Sequence, residues 1–332
     1  MKRISFLYRI GLGVAALAAA AATLAAEPPD DYPKRAVRIV VPYPAGGPAD
    51  AIARRFADQL TRRWGQPFVL EFRGGASGTL GNDVVAKSAP DGYTLLFTTG
   101  ETLVHNAALM KKPPYDARRD LSFITIIGSL PLVLATHAAV PANDVAEFVA
   151  YAKAKTGGVS YGSTGEGGLF HIAGEKLLNR RFGLAAVHAP YRGLAPLTQD
   201  LTGGHITASF GVASAFAPFA ETGGLRILGV GSPSRLPAFP AVKTFAEQGL
   251  DEDHLKLRVW LAFLTPTGTP PLIVERLNAE IARALDAPEV TAVLAQTGFE
   301  AMRTTRAQAQ AYFESEMARV PRWIRELGIE PQ

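Results

Sequence analysis

The chemistry this chain offers lies more in its backbone than in its side chains. Tyr43-Pro44-Ala45-Gly46-Gly47-Pro48-Ala49-Asp50 follows a β-branched run, Arg38 to Val41, and precedes a stripe of Ile52, Phe56 and Leu60. That order is strand, glycine turn, helix start. Pro48 suits the first helical position, and Asp50 falls where a carboxylate caps free N–H groups. Such a turn aims bare N–H groups and a helix dipole at one spot, which favours an anion. The pattern recurs. Val159 to Tyr161 reads as a strand, Gly162-Ser163-Thr164-Gly165-Glu166-Gly167-Gly168 as a loop, and Leu169, Ile172, Ala173 and Leu177 as a helix stripe.

Catalytic alternatives fit less well. Gly165 to Phe170 lacks the last glycine of a dinucleotide loop, and Tyr161 takes the place of the first glycine of a nucleophile elbow. None of the six histidines, at 105, 137, 171, 188, 205 and 254, has another three or four residues away. A helical metal site is therefore not expected. His171, one turn into the second loop's helix, reads as a structural histidine beside a cleft. Tyr191, in Ala189-Pro190-Tyr191-Arg192-Gly193, either lines that cleft or belongs to a turn with an outward arginine. Arg73 reads as solvated and Trp260 as core. No catalytic residue, metal ligand or cofactor is expected.

These loops need strands to present them. Further strands are expected at 66–72, 93–98, 186–188, 206–210, 225–229 and 259–264, with Thr99 just beyond the third. Strands alternating with helices predict a parallel α/β sheet with right-handed crossovers. Two glycine loops at the carboxyl ends of strands in two such units suggest one cleft with donors on both walls. A domain crossing is expected near Ser129, a linker or hinge at Ser232 to Pro240, and C-terminal helices from Pro271, Pro288 and Thr305. The last has Gln308 in capping-box position, and Pro321 should kink it. The domains expected are 27–129 with 255–332, and 130–254.

Composition sets the frame. The chain has 332 residues, 48% hydrophobic and 19% charged, enough to fill a sizeable core. Residues 1–26 carry Lys2, Arg3 and Arg9, then an alanine-rich apolar run and Thr23-Leu24-Ala25-Ala26, the pattern of a cleaved secretory signal. Beyond it 31 basic residues face 30 acidic ones, so charge gives no reason to expect nucleic-acid or membrane binding. There is no cysteine, hence no disulfide and no thiolate site.

With these pieces in order, the sequence resembles the Bug receptors, the periplasmic substrate-binding proteins of tripartite tricarboxylate transporters. The resemblance covers essentially the whole chain after the signal. It rests on Val40-Val41-Pro42-Tyr43-Pro44-Ala45-Gly46-Gly47, on Ala89-Pro90-Asp91-Gly92-Tyr93-Thr94-Leu95-Leu96 and on Pro113-Pro114-Tyr115-Asp116. His188-Ala189-Pro190-Tyr191-Arg192-Gly193 and Pro266-Thr267-Gly268-Thr269-Pro270 add to it.

The resemblance implies a type II, Venus-flytrap fold of two α/β domains around a ligand cleft. It also implies a small carboxylate ligand held by backbone groups and ordered water, and membrane permease subunits as partners of a monomer. The ligand-binding residues it points to are Tyr43, Ala45, Gly46, Gly47, Asp50, Thr99, Ser163, Thr164, Gly165, Gly167, Gly168, His171, Tyr191 and Gly211. Departures fall on these walls. Pro48 and Ala49 stand where glycine and a hydroxyl residue are common, Gly168 and Leu169 replace hydroxyl residues, and Gly211 replaces a frequent aspartate. These changes point to a carboxylate without an amine and with an apolar or aromatic body.

Two functions remain open at this level: a solute receptor, or an exported α/β enzyme acting on a small carboxylate. The signal reading is checked by intact-mass measurement of the exported protein. A loss of about 25 residues is expected for a secretory signal, and a full N-terminus held in a membrane fraction would contradict it.

Overall fold

The computed structural model describes residues 32–331, so the secretory-signal segment at 1–26 lies outside the described residues. The strands in chain order are β1 (Val37–Val41), β2 (Phe68–Phe72), β3 (Thr94–Thr99), β4 (Leu121–His137), β5 (Ser160–Ser163), β6 (Val187–Pro190), β7 (Ala208–Val212), β8 (Leu225–Val230), β9 (Arg258–Pro266) and β10 (Glu300–Ala301). They hydrogen-bond in the order β2-β1-β3-β9-β4-β7-β5-β6, with β8 and β10 also on β4.

Two parallel units appear. β1 lies parallel between β2 and β3, and β5 lies parallel between β6 and β7. This is the expected arrangement, each unit built from a β-branched or small-residue strand and an amphipathic crossover helix.

The units are joined through β4, a 17-residue strand buried along all but its last residue. Leu121 to Pro131 pairs antiparallel with β9, while Leu132 to His137 pairs with β7 and β8. Pro131 stands at the exchange. A proline gives no N–H to a ladder, so it suits the point where the strand changes partners. The sequence places this crossing near Ser129, two residues earlier. The proline-rich stretch at 232–240 is not a return linker. Leu236 is buried, and Phe239 and Val242 pack with it against Val133, Phe216 and Ile227. Apolar side chains in that stretch hold it to the second unit, and the chain returns through the buried Leu255 and Leu257 to β9.

The C-terminal helices Pro271–Ala284 and Pro288–Gln296 pack against the first helix, Pro48–Trp64, and helix Arg306–Glu326 packs on β4. Thr305 and Gln308 form the reciprocal capping box, with Gln308 N donating to Thr305 Oγ1 at 3.2 Å and Thr305 N to Gln308 Oε1 at 2.9 Å. Pro321 lies inside this helix without ending it.

Trp260, on β9, fixes the segment after β3. A side chain at Gly100 would begin 2.0 Å from the Trp260 ring, so only glycine permits this approach. The indole Nε1 donates to Glu316 Oε2 at 2.8 Å. Gly100 therefore starts a turn pressed against an anchored ring, and the helical stretch Glu101–His105 follows. The sequence carries no periodic signal for this stretch, because five residues are too few to show one.

Burial pushes the Glu316 carboxyl up to about 7. Between 4.5 and 7 the folded chain keeps this proton and the unfolded chain loses it, so stability falls as pH rises through that window. The loss is about 3 kcal/mol at about 1.36 kcal/mol per unit. Glu316→Gln should be as stable as the parent near pH 4 and more stable near pH 8, by chemical denaturation. Parallel stability curves would refute this.

Candidate ligand-binding cleft

The carboxyl ends of β1, β3, β5 and β7 converge. β1 delivers Tyr43 and β3 delivers Thr99, while β5 delivers Thr164 and β7 ends at Val212. Between them lie two lobes of ≈ 830 Å³ and ≈ 690 Å³, in the size range of small-molecule sites. Both lobes are lined by Tyr43, Thr99, Leu130, Leu194 and Val212, which makes them one cleft.

The first wall is tied by Tyr43. Its hydroxyl lies 2.7 Å from Thr99 Oγ1 and 2.9 Å from Thr102 Oγ1, and it accepts from Thr99 N at 3.1 Å. These bonds fix the loop to the end of β3 and leave the Tyr43 ring as a cleft wall. Asn106 donates to Ser77 O at 2.7 Å.

The second wall is tied by imidazoles. His171 and His188 stack with centroids 3.8 Å apart and planes within 5°. Gly167 N donates to His171 Nδ1 at 2.9 Å, and Ser163 Oγ meets His188 Nε2 at 2.7 Å. Burial holds both rings down to about 4, so they are neutral well below neutral pH. The Ser163–His188 contact has the spacing of a nucleophile and its base. However, Ser163 is fully buried and lines neither lobe, so it cannot reach a bound molecule.

The walls also meet. His105, buried and held down to about 4, places Nδ1 3.2 Å from Gly167 O. A carbonyl only accepts, so Nδ1 carries the proton. A Cβ at Gly167, where φ is +69°, would lie 2.5 Å from Leu109. Glycine is required there by both backbone angle and space.

Of the residues expected at the site, Tyr43, Ala45, Gly47, Thr99, Thr164, Gly165 and Gly168 line the cleft. The other seven do not. Gly46 and Asp50 face an outer cavity of ≈ 810 Å³ beside Arg54 and Arg55. Gly46 N donates to Asp50 Oδ2 at 2.7 Å, and Asp50 pairs with Arg54 at 2.6 Å. Asp50 thus holds the loop ahead of its helix rather than capping the helix, and its pairing neutralises the arginine that would otherwise draw an anion to the outer cavity. Ser163, Gly167 and His171 support the second loop from behind.

Tyr191 turns away from the cleft. Its hydroxyl donates to Asp200 at 2.7 Å, and Arg192 is exposed, which settles the turn reading. Gly211 faces the Phe216 ring, which lies 2.5 Å from where a Cβ would stand. An aromatic side chain fills the space an aspartate would need.

The N–H groups named by their glycines are also corrected. Gly46, Gly165 and Gly167 donate within their own loops, to Asp50, Ser163 and His171. The donors left for a ligand are the first-turn N–H groups of the helices after Gly47 and Gly168, which have no intrahelical acceptor. The sequence reading missed Glu101, a cleft-lining carboxylate. Only its position one residue past Gly100 and two past Thr99 could have drawn attention to it.

Comparison with known proteins decides the family. The sequence model of the tripartite tricarboxylate transporter family receptor matches residues 52–329. The chain belongs to this family. It is 35% identical to protein BugT of Bordetella pertussis over 302 residues, covering 91% of this chain and 92% of BugT. Among solved structures it resembles an R. palustris protein with adipate, at 31% identity and TM-score 0.76, covering 91% of this chain and all of that one. It also resembles MatC of Rhodopseudomonas palustris with bound malate, at 29% identity and TM-score 0.71, covering 88% of this chain and all of MatC. The fold is the two-domain periplasmic-binding fold, and the chain is a solute-binding receptor of this family, not an enzyme.

Gly211 generates a test. Gly211→Ala should cost about 1–3 kcal/mol by overpacking against Phe216, and Phe216→Leu in the same chain should recover part of the loss in denaturant titrations. An Ala variant as stable as the parent would contradict the packing.

Proposed function

We propose that this receptor captures a small carboxylate in the cleft between Tyr43 and Gly168 and delivers it to membrane permease subunits. The observation that carries this reading is the pair of helix N-termini, at Pro48 and Leu169, that open on either side of one cavity. Their dipoles and first-turn N–H groups favour an anion without any arginine. The adipate and malate held by the two neighbouring structures agree with this chemistry.

The partner exchange on β4 and the return at 255–257 support a division into 27–129 with 255–332, and 130–254. On this division β4 and β9 are the hinge, and closing brings the two glycine loops together. The receptor acts as a monomer in the periplasm after loss of residues 1–26. Among the described residues no helix is long and apolar enough to cross a membrane. The apolar lining from Leu130, Leu194, Phe170 and Val212 favours a ligand with an apolar body over a compact polyacid such as citrate.

A thermal-shift series with adipate, malate, citrate and aromatic carboxylates tests the reading. A ligand at a hundredfold excess over its Kd stabilises the folded state by about 2.7 kcal/mol. At least one carboxylate should raise the melting temperature in a saturable way. A chain indifferent to every carboxylate, or one that turns over a carboxylate ester, would contradict it.

A further inference from the structure

Glu101 is the cleft residue that binding a simple carboxylate leaves unexplained. Tyr43, Thr99, Thr102 and Asn106 commit their side-chain bonds to neighbours on their own wall. Glu101 makes no hydrogen bond or ion pair among the described residues. It is part-exposed on the cleft wall, and desolvation pushes its carboxyl above the usual carboxylate range. Its Oε1 would lie 3.3 Å from a Cβ at Gly168, so it reaches across to the opposite wall. Neither lobe is lined by a lysine or arginine, and a second carboxylate, Glu166, stands exposed at the rim.

A cleft with this charge pattern is poorly matched to a dianion. An unpaired carboxylate that a bound ligand shields from water is costly, and it is neutralised either by a proton or by a cation. A ligand dianion brings no cation, so Glu101 would have to stay protonated throughout. A ligand ammonium would make the pair through a charge-assisted hydrogen bond. The ligand carboxylate would meanwhile rest on the first-turn N–H groups.

We propose that Glu101 is the specificity-determining residue of the cleft, and that the natural ligand is a zwitterion: a carboxylate that also carries an ammonium group on an apolar body. This rests on the receptor reading above. It reverses the expectation of an amine-free ligand, which followed from Gly211. The carboxylate that Gly211 does not supply comes from the first wall instead, one residue past Gly100.

The test is calorimetry on the exported protein, stripped of ligand by unfolding and refolding, with probes matched in carbon skeleton. These are 6-aminohexanoate against hexanoate and adipate, and phenylalanine against 3-phenylpropanoate. Wild type should bind an amino member at least tenfold more tightly than its amine-free counterparts. Glu101→Gln should erase that preference while melting no lower than the parent, since it removes only a carboxylate without a partner. Amine-free members binding as well or better would overturn the inference and leave the receptor reading standing. No binding by any carboxylate would overturn both.

Discussion

The structure depends on one strand serving two sheets. β4 runs 17 residues without a break, yet its ladder partners change at Pro131 from β9 to β7 and β8. Two consequences follow. The parallel units on either side share one covalently continuous element. Their strand carboxyl ends must also face each other, because both units hang from the same strand. The cleft is therefore a product of topology before any side chain is chosen, and Leu130, next to the exchange, is one of its floor residues.

On that scaffold the two ligand loops are held by different chemistry. The first is locked by a hydroxyl cluster around Tyr43, the second by a neutral histidine stack that accepts from Gly167. The N–H groups of Gly46, Gly165 and Gly167 are occupied within these loops, and the helix first turns stay open. This division between internal and outward donors explains how a cleft without basic residues can still hold an anion. It also explains why Glu101 stands out: it is a charge in a site otherwise built from dipoles.

Much of the architecture was legible in the sequence because it follows from local rules. The strand–glycine–helix pattern at 38–60, the capping box at Thr305 and the C-terminal helix stripes are each short-range signals. The stretch at 232–240 was misread as a linker or hinge, because prolines suggest one while Leu236 and Phe239 in fact pack inward. The site was half legible. Loop position predicted Tyr43, Gly47, Thr164 and Gly168, but hydrogen-bond direction is not encoded in spacing. The occupied N–H groups of Gly46 and Gly165, the turned-away Tyr191 and the filled space at Gly211 all depended on the rotamers of side chains close in sequence. Glu101 had no motif around it, and its meaning comes only from its place on the cleft wall without a partner.

On this reading the ligand sits between the two units and not in the outer cavity beside Asp50 and Arg54. A crystal structure of the exported protein with its tightest carboxylate ligand tests this most directly. The account predicts density enclosed by Tyr43, Thr99, Glu101 and Gly168, with carboxylate oxygens on the N–H groups that follow Gly47 or Gly168. Density confined to the outer cavity, with Arg54 released from Asp50 to hold the ligand, would contradict it.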